Sequence, residues 1–396
     1  MGLIVGTDES SRRNRLDELP RAQYGEAMTV TAPKAARART LIVDCDIHES
    51  MSSIAELVPY LAPEWRLWFG QDSKPRVPPI HPYVLTQGGV RHDAQRSDGT
   101  TGGNHLDQVQ WQHLDTYGIT YGVLMGNWAF GAMPQARFAA GLASAYNDWL
   151  IEGWLEKDQR LLGSVSVAPQ VPQLAAREID RVGGHPQMVQ VGLSIAPSGA
   201  PWGDERNDPI WEAAVRNHLR VGFHVQPPTG VQGAPTAWGW PGSYLELRSV
   251  FTTIFETQLI SLVCNGVFEK FADLKVVLVE GGFAWVPGAM WRMDSSWKSV
   301  RSEVPWLRRR PSEYVREQVR FTTQPMEEPP EPRFLNQLID MLGSDELLMF
   351  ASDYPHWDFD DPRRALPPTL GDELRRKLFW SNAAAFYGLS EPDAET

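Results

Sequence analysis

The sequence has almost no cysteine: Cys45 and Cys264 are the only two among 396 residues, too few for a disulfide framework. It lacks an uninterrupted apolar run of the about 18 residues that a membrane span needs, and it does not open on the charged-then-apolar leader of a secreted precursor. Basic residues are outnumbered, 37 Lys and Arg against 49 Asp and Glu, for a net charge of -12. The single short basic run, Arg308 to Arg310, makes no cationic surface, so neither nucleic acid nor an anionic membrane is expected as a partner. A soluble, reducing, cytoplasmic setting is the expectation.

What is present points to a large core. With 42% apolar and 22% charged residues, the chain suits one large α/β domain or two ordinary ones. Sixteen tryptophans are many for this length. Trp128, Trp202, Trp238, Trp240, Trp285 and Trp357 fall in irregular stretches, which suits a pocket for a flat or aromatic ligand, or else large aromatics plugging loops against the core. Residues 1–39 show no sustained apolar period and read as a flexible tail, within which Met28 offers a second possible start; 391–396 form a short C-terminal tail.

Between 50 and 104 the chain is rich in Pro, Gly, Trp and Arg. A loop of that length in a compact domain usually serves a site, so the stretch is read as a lid, with Arg66, Arg76, Arg91 and His92 as candidate substrate contacts or simply solvated charges. From 105 onward, helix-period segments alternate with short apolar runs. Helices are expected at 105–117, 133–156, 171–182, 207–218, 243–270, within 286–316, and at 331–342. Strands are expected at 41–46, 120–125, 160–167, 188–195, 219–225, 274–280, 319–324 and 347–353. Eight βα units in one run predict a closed (β/α)8 TIM barrel over 40–390, with the lid inserted after the first strand.

Three of those strands end in metal-ligand chemistry. LIVDCDIHE (41–49) places Asp46 and His48 two apart, on one face of a strand. LRVGFHV brings His224 to the end of the fifth, and LLMFASD brings Asp353 to the end of the eighth. Glu280 closes the sixth. In a barrel these ends share the C-terminal mouth, where ionisable groups closing apolar strands are costly unless they bind a metal or one another. A single divalent ion with an open position meets that need. A hydrogen-bonded core histidine is the competing reading of His48 or His224 taken alone.

These stretches, with PIWEAA, EGGFAWVP, WRMD, FASDYPH and the closing SNAAAFYGL, resemble the amidohydrolase-related family that includes aminocarboxymuconate semialdehyde decarboxylase, the resorcylate-type decarboxylases and some carbon–carbon hydrolases. The resemblance implies Asp46, His48, His224 and Asp353 as metal ligands. It implies zinc, with manganese as the alternative, and no organic cofactor. It differs in two places: D-x-H stands where the familiar enzymes carry H-x-H or E-x-H, and Glu280 stands where the decarboxylases place a proton-handling histidine. Asp353, Glu280 and His356 are therefore expected to carry the chemistry. Arg292, Arg66, Trp128, Trp285 and Trp357 are the candidate substrate contacts, Arg292 alternatively pairing with Glu280, covering the helix side of the barrel, or acting across the interface of a homodimer as in relatives.

The expected function is a metal-dependent hydrolase acting on a small aromatic or cyclic carbonyl or carboxylate substrate through a metal-activated water. A non-oxidative decarboxylase is the close alternative, and a barrel that only binds metal or ligand is the third.

Overall fold

Short runs of Val, Leu, Ile and Phe too brief for helices become strands buried on both faces, as a parallel sheet under a layer of helices requires. The computed structural model describes residues 40–69, 89–126, 129–196, 199–225 and 239–392, all within one unit spanning Thr40–Thr396. The stretches read as tails, 1–39 and most of 391–396, lie outside the described residues. The strands are β1 (Val43–Ile47), β2 (Tyr121–Leu124), β3 (Leu161–Ser166), β4 (Met188–Ser194), β5 (Arg220–His224), β6 (Val276–Val279), β7 (Val319–Thr322) and β8 (Leu348–Met349). They pair in chain order, every pair parallel. The ring closes where Cys45 N donates to Phe350 O at 3.0 Å and His48 N to Tyr354 O at 2.8 Å. This is the (β/α)8 TIM barrel that the alternation of segments predicts.

Two cores follow from the two faces of the strands. Inside, alternate residues Val43, Cys45, Val123, Met125, Val277, Val279 and Met349 pack together with Phe386 and Tyr387 of the closing helix Asn382–Tyr387. Tyr387 also donates to Gln190 Oε1 at 2.9 Å, so this helix seals the end of the barrel away from the expected ligands. Outside, the other residues of each strand meet the helix stripes. Tyr244–Cys264 is long and apolar enough to cross a membrane by length and composition, yet its Leu247, Phe251, Phe255, Leu259 and Leu262 are buried as one stripe within the outer core.

Helix positions follow the sequence reading, with two local departures. The expected helix at 105–117 begins as Leu106–Gln108 and continues as a π-helical stretch, Val109–Asp115. The span 243–270 breaks at Gly266, whose φ of 76° stops the first helix before Val267–Lys270. Within 286–316 the expected helices are Val286–Val300 and Pro311–Gln318. The insertion after β1 also divides. Ile54–Tyr60, started by a Ser53 and Glu56 capping box, and Pro63–Phe69 lie against the helix Ala136–Gly153, where Trp149 donates to Glu56 at 3.1 Å and Trp65 meets Phe138 at 5.4 Å. Among the described residues of the insertion, 89–104 borders the mouth, with Arg91 N donating to Pro355 O at 2.9 Å. Residues 70–88 of the stretch read as a lid are outside the described residues.

Phe223 is fully buried behind β5, with Trp202 at 5.3 Å and Trp211 at 6.1 Å. Truncating such a ring removes its transfer free energy and leaves a cavity. Phe223→Ala is expected to lower unfolding free energy by about 3–5 kcal/mol in urea titration while keeping the far-ultraviolet circular dichroism of the barrel; a loss under about 1 kcal/mol would show that the outer core collapses into the space.

Candidate metal centre

A bulge in β1 places the first two ligands. Against β2, Asp44 pairs with Gly122 and Ile47 with Leu124, so β1 carries one extra residue there and the faces switch. Asp44 consequently turns outward while Asp46 and His48 both turn into the mouth. His224 ends β5, and Asp353 and Glu280 follow β8 and β6. The last two are held in the left-handed region, at φ 61° for Asp353 and 60° for Glu280. Non-glycine residues rarely adopt that conformation, and where they do the strain is commonly kept at functional sites. Gly282, at φ 61°, completes the turn after Glu280 in a conformation that favours glycine, and a Cβ there would come within 2.9 Å of Glu327 Oε1.

Asp46, His48, His224 and Asp353 are all buried, and each offers a ligand atom within 4.8 Å of the others. His48 Nε2 lies 3.1 Å from Asp46 Oδ1 and 2.9 Å from Asp353 Oδ1, and His224 Nε2 lies 3.6 Å from Asp46 Oδ2. Burial alone would raise the Asp46 carboxyl, but the neighbouring imidazoles of His48 and His224 outweigh it and hold it below its ordinary value. Asp353 is likewise held low against its burial, by His356 and His48. His48 shows the reciprocal effect: burial disfavours its cation, yet Asp46 and Asp353 raise it well above the usual histidine range. The group is thus a buried cradle of two carboxylates facing two imidazoles. Both oxygens of Asp46 are buried without a hydrogen-bond donor in good geometry among the described residues. Two carboxylates and two imidazoles around such atoms fit one divalent ion of the zinc or manganese kind.

Around the cradle stand the groups that could move protons. His356 Nδ1 is 2.6 Å from Asp353 Oδ1, and Gln324 Nε2 donates to Asp353 Oδ2 at 3.3 Å. Glu280 Oε2 is 3.5 Å from His224 Nε2, and its other oxygen is 3.6 Å from Arg248 Nη1. Burial, together with the charges of Asp353 and Asp358, pushes the Glu280 carboxyl well above the ordinary range, with Arg248 opposing. Arg248 is also paired with Asp358 at 2.5 Å and lies 5.4 Å from the Trp357 ring.

Not every expected contact converges here. Arg66 donates to the carbonyls of Pro59 and Leu61 at 2.7 and 2.9 Å; it finishes a helical turn on the barrel's flank. Trp285 donates to Gly281 O at 3.0 Å and packs edge-on to Phe321, on the helix side of the wall. Arg292 is exposed on Val286–Val300, and Glu280 has Arg248, not Arg292, as its partner. Trp357 does reach the rim. Arg91 leans over Phe359 at 4.1 Å. Trp128, Arg76 and Trp238 lie outside the described residues. Sequence reasoning passed over Arg248, which sits on a helix with no pattern to mark it. It also passed over Asp358, although that residue lies two positions beyond FASDYPH, and Glu49, whose Oε1 accepts from Tyr146 Oη at 2.8 Å and Gly126 N at 3.1 Å.

The chain matches the family model described as amidohydrolase over residues 43–389. It belongs to the amidohydrolase family. Gamma-resorcylate decarboxylase of Rhodococcus jostii (strain RHA1) is 27% identical over 307 residues, 72% of this chain and 88% of that protein. Its counterpart from Polaromonas sp. (strain JS666) is 25% identical over 296 residues, 70% of this chain and 86% of that protein. The 5-carboxyvanillate decarboxylase of Novosphingobium aromaticivorans, crystallised with manganese and 4-hydroxy-3-methoxy-5-nitrobenzoic acid, shares the fold with a TM-score of 0.64 at 19% identity, over 88% of this chain and 96% of that one.

Two outcomes are expected of this site. Purified protein carries about one equivalent of a divalent transition metal by elemental analysis, and Asp46→Ala or His224→Ala falls below about a tenth of that; equal metal in the variants would place the ion elsewhere. Burial raises Glu49 from 4.5 to about 7 despite its hydrogen bonds, so the folded state holds its proton longer than the unfolded state does. The stability this confers is full below about pH 4.5 and is lost as pH rises through about 7. Glu49→Gln is expected to flatten the fall in urea midpoint across that window; an unchanged fall would assign the titration to another group.

Proposed function

We propose that this chain is a metal-dependent, non-oxidative decarboxylase of a small hydroxylated aromatic acid. The observation that carries the reading is a buried four-ligand cradle with a carboxyl group beside it, in a chain whose curated relatives, matched over 86 and 88% of their own length, are decarboxylases. The sequence leaned to hydrolysis because Glu280 replaces a histidine. The relatives favour the carboxy-lyase alternative, and the environment of Glu280 supplies what that histidine would.

Asp46, His48, His224 and Asp353 would hold the ion, manganese or zinc. When bound, it supplies Lewis-acid polarisation to the substrate's carboxylate and an adjacent hydroxyl oxygen. The chain's own residues supply the rest. Glu280, kept protonated by burial and by the nearby carboxylates, donates its proton to the ring carbon that bears the carboxylate. The bond from that carbon to the carboxylate breaks, its electron pair stays with the ring, and carbon dioxide leaves. Arg248 holds Glu280 and Asp358 in place as the proton departs. His356, with 35% of its side chain exposed and bonded to Asp353, links the interior to solvent for reprotonation. Trp357 offers a flat wall to an aromatic ring at the rim.

In a panel of ortho-hydroxybenzoates, manganese-loaded enzyme is expected to release carbon dioxide from at least one member. Glu280→Gln is expected to lose 10²- to 10⁴-fold in kcat with metal retained and KM within a few-fold. No release from any member, together with cleavage of esters, lactones or diketones, would establish the hydrolytic alternative. Inertness toward every compound by a fully metallated protein would leave a binding barrel.

A further inference from the structure

The bulge that aims Asp46 into the mouth throws the carboxylate of Asp44 the other way, behind the wall, where it is completely buried. It is fully employed there. Oδ1 accepts from the backbone N–H of Asp46 at 3.2 Å and from that of Ser352 at 2.9 Å. Oδ2 accepts from Ser352 Oγ at 2.5 Å and faces His113 Nε2 at 2.7 Å. Ser352 Oγ in turn accepts from Tyr354 N at 3.2 Å. His113, on the π-helical stretch Val109–Asp115, is stacked on the Tyr354 ring at 4.7 Å and 16°.

These contacts have one topological consequence. A single carboxylate grips the backbone of one cradle residue, Asp46, and of the residue immediately before another, Asp353. Through Ser352 Oγ it also fixes the residue immediately after Asp353. Asp353, which sits between at φ 61° and whose own N–H donates to Asp46 O at 3.1 Å, therefore has its backbone direction set from both sides. A network placed only to satisfy buried polar atoms need not join the ends of two different strands at the two residues that carry the cradle's carboxylates. Charge-assisted bonds to a carboxylate are among the stronger hydrogen bonds, and partners outside the coordination sphere commonly decide how well ligands are presented.

We infer that Asp44, with Ser352 and His113 as its donors, is a positioning residue that sets the separation of Asp46 and Asp353 and thereby the cation affinity of the mouth. The inference rests on the metal-centre reading and adds to it a determinant outside the ligands, on the far side of the barrel wall.

The test is competition between metal-free protein and a chromogenic chelator for Mn²⁺ and, separately, Zn²⁺, beside thermal unfolding of the metal-free forms. Asp44→Asn keeps the shape but weakens acceptance from Ser352 and His113, and is expected to bind 10- to 100-fold more weakly. Ser352→Ala removes the hydroxyl link and is expected to lose about tenfold, while Ser352→Thr, which keeps it, stays within about threefold of wild type. Because the serine variants ask the same question with a neutral residue, the test survives failure of Asp44→Asn to fold. Affinities within about twofold of wild type in both Asp44→Asn and Ser352→Ala, whatever their melting temperatures, would reduce the network to a structural one. A wild-type protein that competes for neither ion would instead overturn the metal reading itself, a result distinct from the first.

Discussion

The structure depends on how negative charge is accommodated in a dry place. Asp46, Asp353 and Glu280 are buried at one mouth of the barrel, with Asp358 partly buried beside them. Taking even one carboxylate out of water costs several kcal/mol unless a cation or a set of donors replaces the lost hydration. Each acid meets that cost differently. Asp44 has backbone, hydroxyl and imidazole donors. Asp358 has Arg248, and the Glu280 carboxyl is pushed well above its ordinary range by burial and its acidic neighbours. Asp46 and Asp353 lean on imidazoles, and among the described residues the oxygens of Asp46 still lack good donors. A divalent ion resolves that remainder, and the fold brings together the donor set it would take.

This division of labour underlies the role proposed for Glu280. Burial and the carboxylates beside it raise its carboxyl well above the ordinary range, and in the proposed reaction that crowding favours return of a proton once one has been given away. Arg248 is near enough to orient it without matching the surplus of acid. A glutamic acid so placed can serve as a proton donor, so the residue found at 280 leaves the proposed reaction open to this chain.

Much of the fold was legible because each β-strand announces itself as a short apolar run followed by helical periodicity, and eight such runs in order leave little choice of architecture. The clustering of Asp46, His48, His224 and Asp353 was legible for a related reason: a polar residue ending an apolar run must be at the strand's end, and in a barrel all those ends meet. What escaped depended on geometry that no spacing encodes. The extra residue in β1 sends Asp44 and Asp46 to opposite sides of the wall, although strict alternation would align them. Arg248 reaches the mouth from the helix after β5, and His113 meets Asp44 behind the wall from a π-helical turn, neither with a local pattern to mark it. Arg66 and Trp285 looked available because their stretches are irregular; in the fold one caps carbonyls on the flank and the other packs behind β7.

The central claim is that residues from β1, β5 and the turn after β8 surround a single cation. Diffraction from manganese-soaked crystals at the manganese absorption edge tests it most directly. The account predicts one anomalous peak per chain, within direct coordination distance of donor atoms of Asp46, His48, His224 and Asp353. A peak bound by other residues, or none at this mouth in crystals that hold manganese elsewhere, would contradict it.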